Sequence, residues 1–453
     1  MLVSFSVANF LSFNTRTVFS MESGRATKKA EHLFEGAGKS LLRFAAMYGK
    51  NGAGKSNFIK SLSFFRHFVI RGRMSDRAPS SWCRVEQENK TLPSEFEIEF
   101  ITGGKRLSYA LGVILGTGQI VRECLTLHNG GRKARLFCKE ARQSEFTFHS
   151  SVVGKRREIE ILARTFSVNE TPLLFSLNIF ARKFLQESEG AENISLAFSW
   201  FADCLEIIFP DQPLNETSLL HRGQNERFEK LLGEFDTGIS KVKWNKISKE
   251  KMFSQVEPAV QMRLNADMQN ISRLQNVPHM QKAVGNGAVV IRNRFNFFVA
   301  QLEKGGEFAF YTLAFVHRLN GQDIEFTMEN ESDGTHRLFQ LLEILMTQKP
   351  KVFVIDEISR CLHPKLTVQF VKKYLERAGE KGKEVQLITT THETRLMSHK
   401  LLRRDEIRLC DSADDGSTVL RSLEDEQVRI DKVLEENYML GEWGGVPVFA
   451  EEE

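Results

Sequence analysis

The sequence predicts an α/β fold that is part parallel sheet and part antiparallel meander, with a mainly helical insertion. Three observations predict it. The apolar run 41–48 ends on the glycine-rich turn Gly49-Lys50-Asn51-Gly52-Ala53-Gly54-Lys55-Ser56 and is followed by a helical pattern. A second apolar run, Lys351 to Ile355, ends on Asp356-Glu357. Between them, residues 93–150 alternate with period two and carry Gly-rich turns at regular intervals.

The elements follow in order. Residues 1–22 alternate and carry aromatics, an edge-type β start. The helix after the glycine turn is expected from about Ser56 to Ile70, with Ile59, Leu62, Phe65 and Val69 on one face. Residues 73–92 are polar and contain proline, hence a loop. Residues 170–280 are mostly helical in pattern. Strands return in VVIRNRFNFFV, EFAFYTLAFVHRL and DIEFTME. A helix is expected over 335–348, a buried strand over 351–357, a helix over 365–379 and a strand over 384–391. The last thirty residues are acidic and read as a peripheral helix plus tail. The expected organisation is 1–180 as the N-terminal half of a head, 181–285 as a mainly helical insertion, and 286–453 as the C-terminal half. No heptad run is long enough for a coiled-coil arm.

Bulk properties narrow the class. A chain of 453 residues exceeds one ordinary core. Its net charge of +4 neither demands nor excludes nucleic acid, because a local basic patch can hide in a balanced total. No apolar run approaches the ~18 residues of a membrane span, and the N-terminus lacks the basic flank of a signal peptide. The cysteines Cys83, Cys124, Cys138, Cys204, Cys361 and Cys410 show no zinc-like spacing. They read as free thiols, which points to a reducing cytoplasm.

Four motifs carry chemistry. Gly49 to Ser56 fits G-x-x-x-x-G-K-S at every position, and Asn57 directly after it is expected among the nucleotide-binding residues. In such a loop Gly49, Asn51, Gly52, Ala53 and Gly54 offer backbone N–H groups to phosphates. Lys55 reaches the outer phosphates of ATP, and the Ser56 hydroxyl holds Mg²⁺. The Lys351–Ile355 run suits a strand covered on both faces. Asp356 at its end would complete the Mg²⁺ shell, and Glu357 would polarise the attacking water. The bland alternative is a strand ending in two solvated acids.

Glu331-Ser332-Asp333-Gly334-Thr335 is a Ser-x-Gly turn opening a helix, a place where a hydroxyl, N–H groups and the helix dipole meet an anion. The alternative is a plain N-cap. Leu387 to Thr391 is a strand ending on His392, which is positioned to contact a γ-phosphate or the water held by Glu357.

This order resembles the ABC-type ATPases, and the long separation of Lys55 from Asp356 resembles their SMC-like branch. Leu362-His363-Pro364 resembles the D-loop of that class. No glutamine is assigned to a Q-loop; Gln119 reads as a hairpin turn and Gln186 is no better placed. A narrower resemblance, to the bacterial AAA15/AAA21 proteins, rests on Asn9-Phe10-Leu11-Ser12-Phe13, on PSEFEIEF with Tyr109 and Glu123, on TPLLFSLNIF, on Phe235-Asp236-Thr237-Gly238-Ile239, on Glu331 to Thr335, and on NYMLGEWGGVP. That family includes RloA-like proteins and the ATPase of the PARIS anti-phage system.

The resemblance implies an ABC/SMC-like ATPase head that sandwiches ATP between two copies, Ser332 and Gly334 completing the partner copy's site. It also implies a separately encoded effector such as a TOPRIM-like nuclease, with nucleic acid or a phage protein as trigger. The alternatives are a DNA-repair ATPase acting directly on DNA and a slow-turnover scaffold. Three basic clusters (Arg132, Lys133, Arg135; Lys155, Arg156, Arg157; Lys241, Lys243, Lys246, Lys249, Lys251) suit either phosphate contacts or solvated faces. Phe295, Phe297 and Phe298 read as core. Asp411, Asp414 and Asp415 read as a solvated turn, and the acidic end from Glu424 onward reads as solvated or partner-binding.

Overall fold

The computed structural model describes residues 1–26, 28–141, 143, 145–152, 161, 170–179, 188–210, 225–275, 288–292, 297–303, 306–426 and 433–447. The chain folds as two units: Met1–Pro210 with Gln348–Ser359 and Val371–Glu453, and Asp211–Thr347 with Arg360–Phe370. Both mix helices with sheets, and the fold is α/β as expected.

The first unit contains a six-stranded sheet in the order Leu205–Ile208, Lys351–Ile355, Val385–Thr390, Phe44–Tyr48, Ile407–Ser412, Thr418–Ser422. The first five run parallel and the last is antiparallel. Every residue of Phe44–Tyr48 and Val385–Thr390 is buried; the first reads as an unbroken apolar run, while the second also buries the polar Gln386, Thr389 and Thr390. Val385–Thr390 lies between the glycine-turn strand and the Asp356 strand. That single fact of order brings motifs three hundred residues apart to one end of the parallel strands.

A seven-stranded antiparallel sheet holds the meander. Leu2–Ala8 pairs with both Ser94–Thr102 and Thr17–Ser20, so the chain start is an inner strand rather than an edge. The helix Lys55–Arg71 buries Phe58, Ile59, Leu62, Phe65, Phe68 and Val69 in the core shared by both sheets. Phe65 stacks on Phe96 and Tyr109 at 5.4 and 5.6 Å; truncating it would cost ~3–5 kcal/mol. Gln386, fully buried, ties the two sheets by donating to the carbonyls of Leu2 and Leu42 and accepting from Leu2 N–H. Glu123 ties the meander to the helix Leu173–Ile179. Its carboxylate accepts Leu173 N–H (2.8 Å), Leu174 N–H (3.0 Å) and the Tyr109 hydroxyl (2.9 Å). Burial pushes its pKa up to about 7 against those three donors.

The second unit contains an antiparallel sheet, Ile239–Ile247, Phe308–Leu319, Phe297–Leu302, Ala288–Arg292, with Gln322–Thr327 also pairing to Phe308–Leu319. One face packs Phe298 and Phe310 against Met252, Leu264 and Met268. The other packs Phe297 and Phe315 on Phe339 of the helix Asp333–Met346, which also meets Phe228 at 4.9 Å. Helices on both faces explain the dense apolar run in Phe308–Leu319. The stretch 181–285, expected to be mainly helical, thus also holds the strands Leu205–Ile208 and Ile239–Ile247. In Ile239–Ile247 only Ile239 and Val242 are buried, and its lysines hide the strand period. The longest described helix, Pro258–Gln275, has 18 residues, too short for a coiled-coil arm.

Two further expectations need correction. Cys124 and Cys138 stand directly opposite on neighbouring strands and are joined as a disulfide, leaving Cys83, Cys204, Cys361 and Cys410 free among the described residues. Strand register, invisible to a count of spacings, creates the pair, and it removes the argument from six free thiols to a reducing compartment. The acidic C-terminal segment is also not wholly peripheral. Its short helix Leu434–Met439 leads into a turn that buries Tyr438 and Trp443. No described helix is long and apolar enough to cross a membrane.

Candidate active site

The glycine turn leaves the buried strand Phe44–Tyr48 and enters its helix at Lys55. Gly54 has φ 102°, and a Cβ there would drive into the Thr418 side chain, so only glycine fits. Asn51 and Gly52 are exposed, whereas Lys55 is 6% exposed. The Lys55 ammonium donates to the carbonyls of Gly49 (2.7 Å) and Lys50 (3.0 Å), so the loop curls around its own lysine. Burial lowers the Lys55 pKa, while Cys410, Asp356 and Glu357 oppose the shift. Asn57 turns away and donates to Ser12 Oγ (2.9 Å).

Asp356 directly follows the strand Lys351–Ile355 and is buried. Its Oδ1 accepts from Ser56 Oγ at 3.2 Å and from Thr390 Oγ1 at 2.6 Å. Thr390 Oγ1 in turn accepts Glu357 N–H at 2.8 Å. One hydroxyl therefore fixes both acids. Glu357 sits in the left-handed region with φ 53°, a costly conformation for a non-glycine residue that aims its side chain off the strand path. His392, two residues past Thr390, is exposed. Partial desolvation of its ring is the largest cause of a lowered pKa, and the Lys55 charge adds to this, with Glu357 opposing; the imidazole is neutral at pH 7.

The arrangement brings Lys55, Ser56, Asp356, Glu357 and His392 to one end of the parallel sheet. The Ser56 hydroxyl beside the Asp356 carboxylate is an all-oxygen pair that suits Mg²⁺. A buried ammonium within a glycine-rich loop whose Asn51 and Gly52 are exposed suits phosphates.

Thr390 carries no motif of its own in the sequence, and neither does the support behind the loop. Asp411, expected in a solvated turn, lies on the strand Ile407–Ser412. It accepts Gly445 N–H (3.0 Å) and sits 3.6 Å from the Lys50 ammonium. Burial would raise its pKa, but N–H donors from Ser412 and Gly445, with Lys50, hold it below the usual value. Tyr438 donates to Gly445 O (2.9 Å) and packs edge-on to Tyr48 (5.8 Å). The NYMLGEWGG segment thus braces the root of the glycine turn. Asp414 and Asp415 are exposed in the turn that follows.

Ser332 and Gly334 lie in the second unit. Ser332 is the N-cap of Asp333–Met346 and accepts Thr335 N–H at 3.0 Å. A Cβ on Gly334 would lie 2.8 Å from the Cys361 carbonyl oxygen, so the turn packs closely on the Leu362-His363-Pro364 segment. His363 Nδ1 accepts Lys365 N–H and caps the next helix. Gln119 is exposed and opens the inner strand Gln119–Asn129 of the meander.

Of the basic clusters, Lys243 pairs with Glu325 (2.6 Å) and Arg135 with Glu140 (3.3 Å), which fits solvated faces. Phe297 and Phe298 are core. Lys155, Arg156, Arg157, Gln186, Phe295 and residues 427–432 and 448–453 lie outside the described residues.

A family model described as "AAA domain, putative AbiEii toxin, Type IV TA system" matches residues 44–398, every motif from Gly49 to His392 included. The chain belongs to this AAA family. It carries a P-loop ATPase domain, and its family is one of nucleotide-binding proteins. Asp411, Tyr438 and Gly445 fall beyond the matched range. Among solved structures, "SMC head domain from Thermotoga maritima" overlaps 93% of this chain and 98% of that chain at 12% identity and a TM-score of 0.34. No curated protein matches.

Proposed function

We propose that this AAA-family chain is a Mg²⁺-dependent ATP hydrolase in which ATP closes at least two copies on each other. That closure controls a separately encoded effector, a TOPRIM-like nuclease in our reading, in cytoplasmic anti-phage defence of the RloA or PARIS kind. The trigger is nucleic acid or a phage protein. The observation that carries the enzymatic reading is the convergence of Lys55, Ser56, Asp356, Glu357 and His392 at one end of the parallel sheet, with Thr390 bonded to both acids. The family description, which includes a putative toxin of a toxin–antitoxin system, supports a two-component module.

Lys55 neutralises charge on the outer phosphates, and the loop N–H groups orient them. Ser56 and Asp356 hold Mg²⁺, which when bound draws charge from the phosphoryl oxygens. Thr390 keeps the Asp356 carboxylate turned to Ser56. Glu357 orients the attacking water and takes its proton. His392, neutral at pH 7, has a ring nitrogen free to accept a hydrogen bond from that water or to donate one to the γ-phosphate. Ser332 and Gly334 meet the γ-phosphate held by the partner copy.

Phosphate release by the purified chain tests the enzyme. Glu357→Gln should bind ATP normally and lose ~100-fold or more of its turnover; wild-type turnover would remove Glu357 from the mechanism. The chain alone should leave plasmid, linear DNA and tRNA intact with Mg²⁺ or Mn²⁺ and ATP. Cleavage that survives repurification and vanishes with Asp414 and Asp415 substituted would sink the separate effector.

A further inference from the structure

The helix that starts at Lys55 has a second long edge, Lys60, Phe64, His67 and Arg71, at helical spacing. This edge lines a pocket of about 500 Å³ lying wholly within the first unit. Its floor is aromatic and apolar: Phe10, Leu11, Phe64 and Phe209. Phe10 and Phe64 lie 5.0 Å apart, and Phe64, Leu11 and Phe209 are only half-buried, so faces remain open to a ligand. The rim is cationic. Lys60, Arg71, Arg73 and Arg77 are all exposed, and no carboxylate lines the pocket. Asp76, in the same loop, does not line it. Among the described residues none of the four cations forms an ion pair. Four clustered positive charges without a counter-charge favour an anion.

The combination decides the ligand. Inorganic phosphate would leave the aromatic floor idle. A duplex does not enter a pocket of this size. We propose that the pocket binds a nucleotide unit, its base on Phe64 and Phe209 and its phosphate on Arg71, Arg73 and Arg77. Stacking on an aromatic face with arginine on the backbone is how single strands are held without sequence preference. A free mononucleotide and the end of a single strand share this chemistry.

The pocket is wired to the glycine turn. Phe10 and Leu11 belong to the tight turn Asn9–Phe13, closed by paired Phe10–Phe13 backbone bonds of 3.1 and 2.9 Å. Leu11 has φ 51°, rare for a bulky residue, and donates its N–H to Ser81 O at 2.7 Å, at the end of the loop that carries Arg73 and Arg77. The next residue, Ser12, accepts from Asn57 and lies 2.7 Å from the Thr418 hydroxyl, which is 3.0 Å from Ala53 O. A ligand on the floor therefore presses on a turn linked to the C-terminal half of the phosphate loop, at Asn57 directly and at Ala53 through Thr418.

Binding is measured without ATP, using fluorescent dT12 and thymidine monophosphate, on the full chain and on Lys55→Ala, which removes the ATP site from the result. We expect dT12, the monophosphate or both to bind, with affinity falling as salt rises. Binding by only one of the two identifies the source. The double variant Arg73→Glu/Arg77→Glu, exposed and so safe for folding, should weaken binding at least tenfold and flatten the salt dependence. Phe209→Leu keeps bulk, loses the stacking face and should weaken it several-fold. No binding by either probe, binding insensitive to both variants, or equal binding of polyglutamate would overturn the proposal. A second readout rests on the ATPase reading: the bound ligand should alter phosphate release at least twofold, and the Arg73/Arg77 variant should lose that response while keeping basal turnover. Loss of ATPase without loss of binding would count against the enzyme, not the pocket.

Discussion

The two glycine- and serine-bearing turns singled out in the sequence are built differently. The Gly49–Ser56 loop is finished within one unit: Gly54 is fenced by Thr418, Lys55 is buried under two carbonyls, and Asp356 waits 3.2 Å from Ser56. The Ser332–Gly334 turn is more open, and its hydroxyl already serves its own helix as N-cap. A loop preorganised around a buried lysine binds phosphate from a fixed position. A capping serine can do so only where something else brings the phosphate to it. In our proposal this difference gives the first turn to binding and the second to assembly.

The sharpest break of that comparison is Lys55→Ala. It removes the central cation of a preformed site, and ATP affinity, read by calorimetry, should fall at least ~100-fold. Retained affinity would mean that the loop does not bind phosphate through Lys55.

The second turn can be split from its cap role. Ser332→Asp keeps the cap, since aspartate accepts the same N–H, and should leave thermal stability unchanged. If the turn meets a γ-phosphate across two copies, the added charge should abolish ATP-dependent dimers in size-exclusion runs with Glu357→Gln. Ser332→Arg should also fail to dimerise and in addition lose the cap, about 1 kcal/mol. A Ser332→Asp protein that dimerises normally returns the motif to a helix cap.

The smallest effect concerns Glu123, whose folded pKa of about 7 lies above the ordinary 4.5. A raised carboxyl favours the folded state when protonated. Its contribution is full below pH ~4.5 and lost as pH rises through ~7. Glu123→Gln keeps the Tyr109 contact and removes the titration. The melting temperature of the native protein relative to this variant should therefore fall by a few degrees between pH 5 and 8. A constant difference would show that Glu123 does not titrate there.

Much of the site is legible before any fold. Gly49 to Ser56, Asp356-Glu357 and His392 are readable because chemistry demands those residue types at short spacing, beside strands whose double burial leaves an unbroken apolar run. The strand Ile239–Ile247 is not readable, because a one-sided strand carrying lysines loses its period. The Cys124–Cys138 pair is not, because it depends on strand register. Thr390, Asp411 and Tyr438 escape for a different reason. Threonine, aspartate and tyrosine carry no signature of their own, and each gains its role from what the fold sets beside it: Thr390 from a strand inserted between two motifs, Asp411 and Tyr438 from a C-terminal segment folded back on the glycine turn. The sequence by itself determined the local chemistry, since a loop's curl and a strand's burial are written in neighbouring residues. Only the tertiary structure decided which distant residues hold that chemistry in place, since sheet order and register are set by packing over hundreds of residues.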